Sequence, residues 1–254
     1  MSADVVVEER GQVLVVTIDR PAQRNALTQE TSRTIASAWD ELDDRADLTV
    51  GVLTGAGGHF CAGMDLKRFL LGEVASIPGR GLGGMTQTPP EKPVIAAVEG
   101  YALAGGFEMA LACDLVVAAK GAVFGLSEVQ RGLAARAGGL LRLPEKIPEN
   151  VAMEMILTGT PIGADRAAAL GLVNRVVADQ QALAAAMGLA NEMASNAPLA
   201  LIASKKVVTA GRHWTPDERW RNQASIVDPV FASNDAREGA EAFAAKRPPQ
   251  WTGT

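Results

Sequence analysis

The first hundred residues alternate between short apolar runs and polar turns, a pattern typical of strands in a mixed α/β protein. Residues 5–7 and 13–18 are rich in valine and predict the two strands of a hairpin. Residues 49–54 predict a third strand, and the uninterrupted apolar run at 94–98 predicts a buried one. These four segments are the expected beginning of a sheet.

An amphipathic helix is predicted between the second and third strands. Thr28 belongs to the residue types that cap the first turn of a helix. Ile35, Trp39 and Leu42 follow at positions i, i+4 and i+7, which lie on one face of a helix. This face is therefore expected to be buried, and a shorter helix is predicted over residues 66–71.

Helix-forming segments dominate the second half of the chain. Strands are predicted at residues 115–118, 123–124 and 173–177, and a glycine-containing turn at 127–139 leads into a helix expected to end at Pro144. Further segments with helical spacing or strong helix formers are 150–157, 164–170, 180–196, 200–210, 217–231 and 236–246. The overall pattern predicts the α/β class with a helical tail.

This layout predicts two parts within the chain. Residues 1–180 are expected to form an α/β core, and residues 181–254 a helical region that packs against another subunit. The helical region carries Trp214, Trp220 and Phe231, whose burial then depends on that partner. No internal repeat or low-complexity tract interrupts the two parts.

Residues 72–90 are rich in glycine, proline, serine and threonine, which predicts a loop or lid long enough to have a function. Gly79, Gly81 and Gly84 within it have the spacing of a dinucleotide-binding motif, but no strand precedes them and no helix follows. The glycine cluster at 55–58 follows a strand but lacks the third glycine of that motif. A dinucleotide cofactor is therefore not expected.

Composition and charge exclude several classes of protein. The chain has 254 residues, 48% of them hydrophobic, yet contains no apolar run of the roughly 18–20 residues that span a membrane. A formal net charge of −5 with four Trp, one Tyr and six Phe argues against a nucleic-acid surface. Any anionic ligand would need arginine or lysine residues at its own site.

The cysteine and histidine residues predict neither a disulfide framework nor a metal site. Cys61 and Cys113 lie among small or apolar residues, which indicates buried thiols in a reducing compartment. His59 and Cys61 have only His213 as a further candidate, too few ligands for zinc. Because the amino-terminal sequence also lacks a signal or transit pattern, the cytoplasm is the expected location.

The strongest chemical signal lies in residues 95–114, where a buried strand is followed by a turn and a helix. Ala104, Gly105 and Gly106 open this helix, and Glu108 lies in its first turn. The first backbone NH groups of a helix are unpaired and lie at the positive end of its dipole. Such a helix start can stabilise an oxyanion, with a carboxylate close by.

Two glutamates allow both a structural and a catalytic interpretation. Glu108 alone is commonly a partner of the helix dipole, and Glu128 in the segment FGLSEVQRG is commonly a surface or capping residue. Taken together, two carboxylates that flank turns of small residues can hold one water molecule and exchange protons with a substrate. The residues by themselves leave both interpretations open.

A series of motifs runs in order along nearly the whole chain: RPAQRNAL, HFCAGMDLK, IAAVEGYALAGGFEMALACD, FGLSEVQRGLAARAGGLLRLP, TGTPIGADRAAALGLVNRVV and EGAEAFAAKRPPQW. This series resembles that of the crotonase superfamily, the enoyl-CoA hydratases and isomerases. The resemblance implies a crotonase-type α/β spiral of strand-strand-helix units. It also implies C-terminal helices that assemble homotrimers, often as dimers of trimers.

The resemblance assigns roles to individual residues. It implies an oxyanion hole made of the backbone NH groups of Met64 and Gly105, with Glu108 and Glu128 as the catalytic pair. It implies an acyl-CoA substrate and no metal or further cofactor. The implied coenzyme A contacts are Arg24, Ala26, Lys67, Phe243 and Lys246, of which the last two usually reach the ligand of a neighbouring subunit.

Retention of both glutamates favours hydration of 2-enoyl-CoA to 3-hydroxyacyl-CoA, or the reverse dehydration. The alternatives are a double-bond isomerase that uses Glu128 alone, a carnitinyl-type dehydratase, and a non-catalytic acyl-CoA-binding protein. Ala135 replaces the proline that usually follows Glu128 in the family. The loop at 72–90 lines the acyl pocket in the family, and its residues do not predict which acyl group is bound. Arg131 and Arg136 either lower the pKa of Glu128 or face solvent.

Overall fold

Strands and helices alternate through most of the chain, of which the computed structural model describes residues 4–254. The strands are β1 Val5–Arg10, β2 Val13–Ile18, β3 Val50–Gly55, β4 Ser76–Ile77, β5 Gly81–Leu82, β6 Val94–Val98, β7 Tyr101–Leu103, β8 Leu115–Ala119, β9 Val123–Gly125, β10 Ile162–Gly163 and β11 Arg175–Val177. The helices are α1 Gln29–Asp44, α2 Leu66–Leu70, α3 Gly105–Ala112, α4 Gly139–Lys146, α5 Glu149–Thr158, α6 Ala164–Ala169, α7 Ala182–Ala194, α8 Pro198–Gly211, α9 Arg219–Phe231 and α10 Asn234–Ala245.

The large sheet has the strand order β1-β2-β3-β6-β8-β11. β1 and β2 form the predicted antiparallel hairpin, and the remaining neighbours pair in parallel. Both faces are buried: Leu14 and Leu53 share one cluster with Trp39 of α1, whereas Val15 and Val52 pack against α7. Parallel strands covered on both faces need side chains that are apolar throughout, which is why these strands are rich in valine and alanine.

A smaller sheet has the order β10-β9-β7, and isolated bridges join Cys61 to Ala102 and Leu27 to Met64. Each pass of the chain adds a strand to the large sheet, then a strand or bridge at the small sheet, and then a helix. Thus β3 leads through Cys61 to α2, and β6 leads through β7 to α3. The predicted α/β spiral of strand-strand-helix units is confirmed. The strands β7 and β10 are not predicted by the sequence pattern, because three and two residues are too few to show a period.

Helix α1 begins and packs as predicted. The Thr28 side chain accepts a hydrogen bond from the Thr31 NH, and the Thr31 hydroxyl accepts one from the Thr28 NH. Ile35, Trp39 and Leu42 are fully buried on its inner face. The capping box therefore uses a threonine where glutamate or glutamine is usual.

Residues 72–90 are more ordered than the predicted loop or lid. They contain the antiparallel pair β4 and β5, and Leu82, Met85 and Thr86 are buried. Gly84 has a positive φ of 62° and lies so close to Ala36 of α1 that a Cβ there would overlap it. The glycines in this segment serve a tight hairpin and its packing against α1. The strand–glycine-loop–helix order of a dinucleotide site does not occur here.

The predicted end of α4 at Pro144 is wrong, because the helix continues to Lys146 with the proline inside it. Proline removes one hydrogen bond of the helix, but the NH of Ile147 still reaches the carbonyl of Leu143 at 3.2 Å and closes the last turn. Leu143 is fully buried on the inner face of this turn. Tertiary packing therefore outweighs the local preference of the proline.

The C-terminal helices differ in how much of their surface is buried. Ala182, Ala186 and Ala190 of α7 are fully buried against the large sheet. By contrast α9, all of which is described, has no buried residue, and Trp220 on it is 77% exposed. Among residues 4–254, no helix is long and apolar enough to cross a membrane.

The start of α3 lies in direct contact with the segment that bridges to β7. A Cβ atom built on Gly106 would overlap the carbonyl oxygen of Cys61. The two backbones therefore approach more closely than any side chain would allow, and glycine is required at position 106.

Gly106→Ala is expected to destabilise the protein by about 1–3 kcal/mol, because the added methyl group meets a backbone atom that cannot rotate away. Gly188→Ala in α7 is the matched control: its Cβ meets nothing within 4 Å, and the change should gain roughly 0.5–1 kcal/mol. Urea unfolding of both variants beside the parent measures the difference. Unchanged stability of the Gly106 variant would contradict the close contact.

Candidate active site

A sharp backbone turn connects β7 to α3. Ala104 at this turn has φ 50° and ψ −127°, a conformation that non-glycine residues rarely adopt. Such a residue stores roughly 1–3 kcal/mol of strain, which the surrounding packing must hold. The NH of Ala104 donates to the carbonyl of Gly125 at 2.8 Å, so the neighbouring strand β9 fixes the turn. The turn therefore holds the start of α3 directly after β7.

Two backbone NH groups lie side by side at this turn. A Cβ on Gly63 would lie 3.0 Å from the nitrogen of Gly105, and a Cβ on Gly105 would lie 3.8 Å from the nitrogen of Met64. Within residues 4–254, neither the Met64 NH nor the Gly105 NH donates a hydrogen bond. The structure therefore brings the two predicted oxyanion donors together and leaves both free.

The segment that carries Met64 is hydrogen-bonded to the loop that precedes α1. The Leu27 NH donates to the Gly63 carbonyl at 2.8 Å, and the Asp65 NH donates to the Leu27 carbonyl at 2.9 Å. Asn25 is fully buried, and its side-chain amide donates to the carbonyls of Ala56 at 2.8 Å and His59 at 2.6 Å. These bonds fix the backbone on both sides of Met64.

Asn25 and Arg20 are positioning residues that the sequence pattern did not predict. Arg20 forms salt bridges with Asp65 at 3.2 Å and Asp4 at 3.1 Å, and donates to the carbonyl of Ala26. Burial raises the pKa of Asp65, but hydrogen bonds from the Arg68 NH and Arg20 outweigh it and hold the pKa below its usual value. Asn25 has a positive φ of 59°. Asparagine adopts a positive φ more readily than most residues, so its place in the loop before α1 was a usable signal for a tight turn there.

Glu108 is buried, 2% exposed, at the fourth position of α3. Its Oε1 accepts hydrogen bonds from the NH groups of Ala137 at 2.7 Å and Gly139 at 2.8 Å. Burial raises the pKa of Glu108, and these two bonds and the charge of Arg142 oppose the rise. The bonds leave Oε2 as the oxygen available to a substrate or water.

Glu128 begins a single 3₁₀ turn, residues 128–131, and is half-buried. Its Oε2 is buried and has no hydrogen-bond partner within the described part of the chain. Burial raises the pKa of Glu128 to about 7, and the nearby charge of Glu108 adds to the rise. The charge of Arg131 lowers the pKa of Glu128 by a smaller amount, although Arg131 and Arg136 are both exposed to solvent.

The two glutamates line one cavity of about 210 Å³. Met64, which carries one of the two free NH groups, lines the same cavity. The other lining residues, mostly apolar, are Phe69, Glu73, Val74, Ala75, Ser76, Leu82, Leu133, Ala134, Arg136 and Ala137. The cavity thus combines an apolar wall with two carboxyl groups of unequal environment. This arrangement can polarise a carbonyl group and exchange protons at carbon atoms beside it.

The predicted coenzyme A contacts fall into two groups. Arg24 is exposed, with its guanidinium 5.3 Å from the centroid of the Tyr101 ring. Ala26 lies in the segment that is hydrogen-bonded to the segment carrying Met64. Lys67 is exposed in the first turn of α2, which begins two residues after Met64. These three therefore lie along one pair of segments at the site.

Phe243 and Lys246 lie at the end of α10, and Phe243 is 87% exposed. The hydrogen bonds of α10 outside the helix join it to the C-terminal segment; for example, the NH of Thr252 donates to the Asp235 carboxylate at 2.7 Å. Within residues 4–254 no hydrogen bond or ion pair joins α10 to the cavity. No group of three or more His, Cys, Asp or Glu side chains in the described residues is arranged to hold a metal ion.

Two adjacent NH groups without hydrogen-bond partners lie beside two glutamates in a spiral of strand-strand-helix units, an arrangement that can stabilise an oxyanion during proton transfer. A family model described as enoyl-CoA hydratase/isomerase matches residues 8–254. The chain belongs to this family, as the resemblance of its motifs indicated.

Named relatives cover the chain almost completely. Enoyl-CoA hydratase EchA19 of Mycobacterium tuberculosis is 40% identical over 259 residues, 98% of this chain and 96% of that protein. Carnitinyl-CoA dehydratase of Proteus mirabilis is 39% identical over 261 residues, 100% of both chains.

Solved structures agree with the fold. The enoyl-CoA hydratase EchA1 of Mycobacterium marinum has a TM-score of 0.97 at 56% identity over 99% of both chains. A carnitinyl-CoA hydratase of Mycobacterium avium has a TM-score of 0.80 at 42% identity over 100% of both chains.

The free energy of unfolding is expected to depend on pH through Glu128. Its pKa is about 7 in the folded protein against a usual 4.5, so between these values the folded state binds the proton more tightly than the unfolded state. Stability therefore falls as pH rises from 4.5 to 7 and changes no further through this group above pH 7. Glu128→Gln should gain stability relative to the parent over that range.

Urea unfolding between about pH 4.5 and pH 8 measures this difference. Glu149→Gln, at an exposed position in the first turn of α5, is the matched control and should follow the parent curve. Parallel curves for the parent and Glu128→Gln would contradict the raised pKa.

Proposed function

We propose that the chain catalyses the addition of water to 2-enoyl-CoA thioesters to give 3-hydroxyacyl-CoA, and the reverse dehydration. The observation that carries the proposal is the shared cavity of Glu108 and Glu128 beside the free NH groups of Met64 and Gly105. Membership of the enoyl-CoA hydratase/isomerase family and relatives named hydratase or dehydratase support it. The proposed reaction needs no cofactor beyond the coenzyme A thioester itself.

The first proposed step is polarisation of the thioester. Its carbonyl oxygen accepts hydrogen bonds from the NH groups of Met64 and Gly105, which draws electrons from the conjugated double bond and makes C3 electrophilic. Backbone donors held by Ala104 and by the Leu27 contacts need little rearrangement as negative charge develops. One such donor is typically worth about 10²- to 10³-fold in rate.

The second proposed step is proton transfer by the glutamate pair. Glu108, fixed by the NH groups of Ala137 and Gly139, orients a water molecule through its other oxygen and helps to remove its proton as it attacks C3. Glu128, whose pKa is about 7, is partly protonated near neutral pH and can give a proton to C2. Unequal environments thus separate the two roles.

We further propose that coenzyme A is bound by Arg24, Ala26 and Lys67 of one subunit and by Phe243 and Lys246 of a neighbour. The cations are exposed and therefore accessible to phosphate groups. Within one chain, Phe243 and Lys246 lie apart from the other three residues. This separation is compatible with a ligand that spans two subunits. With two free cysteines in the chain, a reducing compartment such as the cytoplasm is the proposed location.

The same proposal extends to assembly. Residues 1–180 would form the catalytic core, and residues 181–254 the region that associates subunits into a homotrimer or a dimer of trimers. Trp220 and Phe231 of α9 are 77% and 79% exposed, and aromatic side chains of this size on one surface mark contact sites. A helix without a buried residue gains its stability from such contacts.

A second candidate within the family is dehydration of a carnitinyl-type hydroxyacyl-CoA. Relatives named carnitinyl-CoA dehydratase are 39–40% identical over the full length of this chain. Elimination of water from a 3-hydroxyacyl-CoA uses the same pair of glutamates in reverse. A panel of 2-enoyl-CoA and hydroxyacyl-CoA thioesters, followed by absorbance of the conjugated thioester, separates the two candidates.

Glu108→Gln and Glu128→Gln are each expected to lower kcat for hydration of crotonyl-CoA by about 10²- to 10⁴-fold, because each removes a group that transfers a proton. Loss of the conjugated thioester absorbance measures the reaction. Glu149→Gln should retain the parent rate. Full hydration by the Glu108 variant would disprove its role with water, and no hydration by the parent across short and long acyl chains would favour a non-catalytic acyl-CoA-binding protein.

Trp220→Asp and Phe231→Asp together are expected to shift the protein from trimers or hexamers towards monomers, because a charge replaces each exposed aromatic side chain on α9. Light scattering coupled to size-exclusion chromatography measures the mass. Leu157→Asp on α5, 66% exposed, is the control and should leave the trimer intact. A parent protein that is monomeric would contradict the proposed assembly.

A further inference from the structure

The side chain of Arg142 on α4 folds back over the turn that precedes this helix. Arg142 is half-buried, and its Nη2 donates a hydrogen bond to the carbonyl of Thr86 at 2.7 Å. Its Nη1 lies where a side chain at position 138 would be, because a Cβ built on Gly138 would overlap it. Gly138 also has a positive φ of 99°. The guanidinium therefore covers residues 137–139, a turn that only glycine at position 138 leaves open to it.

This turn holds Glu108. The residues on either side of Gly138 donate their NH groups to Glu108 Oε1, Ala137 at 2.7 Å and Gly139 at 2.8 Å. The NH of Arg142 donates to the carbonyl of Gly138 at 2.9 Å. Arg142 thus contacts the turn through both its backbone and its side chain, and the turn in its own place fixes the carboxylate.

The carbonyl that Arg142 reaches belongs to the segment that packs on the oxyanion donor Gly105. Thr86 is buried, 1% exposed, and its hydroxyl accepts a hydrogen bond from the NH of Leu82 at 2.8 Å. Leu82 packs against Gly105 so closely that a Cβ there would overlap it. The bond from Arg142 to Thr86 therefore links the turn at 137–139 to the side of the site that carries the Gly105 NH.

Arg142 forms no salt bridge with any described residue, although it is half-buried. Loss of hydration lowers the pKa of Arg142, and the carboxylates of Glu145 and Glu108 oppose that effect. Removing a cation from water without a close carboxylate partner is unfavourable. The bond to Thr86 and the attraction to Glu108 are the interactions that offset this cost.

Other charged groups face Glu108 as well. They are Glu73 from the segment after α2, Glu128 from the 3₁₀ turn and Arg136 from the loop before α4, all at the wall of the smaller cavity. Among charged groups, Arg142 has the largest effect on the pKa of Glu108, and it lowers that pKa. Arg142 does not line the smaller cavity, so this influence does not depend on contact with a substrate there.

We propose that Arg142 is a positioning residue for the proposed hydration, which holds the NH groups of Ala137 and Gly139 on Glu108 by tying their turn to Thr86. Its charge favours the ionised form of Glu108, the form that removes a proton from water. A planar guanidinium suits both tasks, because one nitrogen reaches the carbonyl while another lies over the turn. This role rests on the proposed function and acts through Glu108.

Arg142→Gln is expected to lower kcat for hydration of crotonyl-CoA by roughly 10-fold with little change in KM, because a base that is less well placed transfers a proton more slowly. The acid limb of the pH profile of kcat should move to higher pH by about 0.5 unit or more, because loss of the cation raises the pKa of Glu108. Absorbance of the conjugated thioester measures both effects.

Arg142→Lys keeps the charge and should return the acid limb towards its position in the parent, with a smaller loss of kcat. Arg212→Gln is the matched control: Arg212 pairs with Glu145 at 2.8 Å and donates no hydrogen bond to Thr86 or Glu108, so the acid limb should stay in place. An active parent whose kcat and acid limb are unchanged in Arg142→Gln would refute the role of Arg142.

A readout independent of turnover separates this inference from the proposed function. In a double-mutant cycle at pH 8, Arg142→Gln should raise the urea unfolding constant by roughly 10-fold in the parent and by at most about 3-fold in the Glu108→Gln background. Equal effects in the two backgrounds would refute the coupling. A parent that hydrates no enoyl-CoA but shows this coupling would overturn the proposed function and leave the link between Arg142 and Glu108 standing.

Gly138→Ala repeats the test with Arg142 in place, for the case in which Arg142→Gln does not fold. The added methyl group displaces the flexible guanidinium from the turn. The acid limb should therefore move in the same direction as in Arg142→Gln, and an unmoved limb in a folded Gly138→Ala protein would contradict the proposal.

Discussion

The close approach of two backbone segments is the constraint on which the candidate site depends. The turn at Ala104 and the segment from Cys61 to Met64 meet without side chains between them, because Gly63, Gly105 and Gly106 have none. Only this spacing brings the NH groups of Met64 and Gly105 together. The strained Ala104, its bond to β9 and the packing of Leu82 on Gly105 hold the arrangement.

The second organising effect is the unequal burial of two carboxyl groups. Glu108 is more deeply buried than Glu128, yet two backbone NH groups stabilise its ionised form, whereas Glu128 has a buried oxygen without a partner. The segment between β9 and α4 contributes to the environment of both carboxyl groups. It carries Glu128 near its start, and the NH groups of Ala137 and Gly139 at its end donate to Glu108. One loop thus sets the proton affinity of both groups.

Local sequence patterns predicted the long elements well and the short ones poorly. The inner face of α1 and the strand β6 were predictable because several apolar residues repeat at one period. The strands β7 and β10 are too short for a period, and residues 72–90 form a hairpin through contacts with α1 that composition does not reveal. Pro144 stayed within α4 because the buried Leu143 holds the turn.

For this protein the sequence by itself determined the class of fold, the family and the residue types of the site, because those depend on repeated apolar positions and on a series of motifs. Tertiary structure decided the rest. Only the folded chain leaves the Met64 and Gly105 NH groups unpaired side by side, and only burial gives Glu128 a pKa of about 7. Distance and desolvation arise from segments far apart in sequence, so no local pattern contains them.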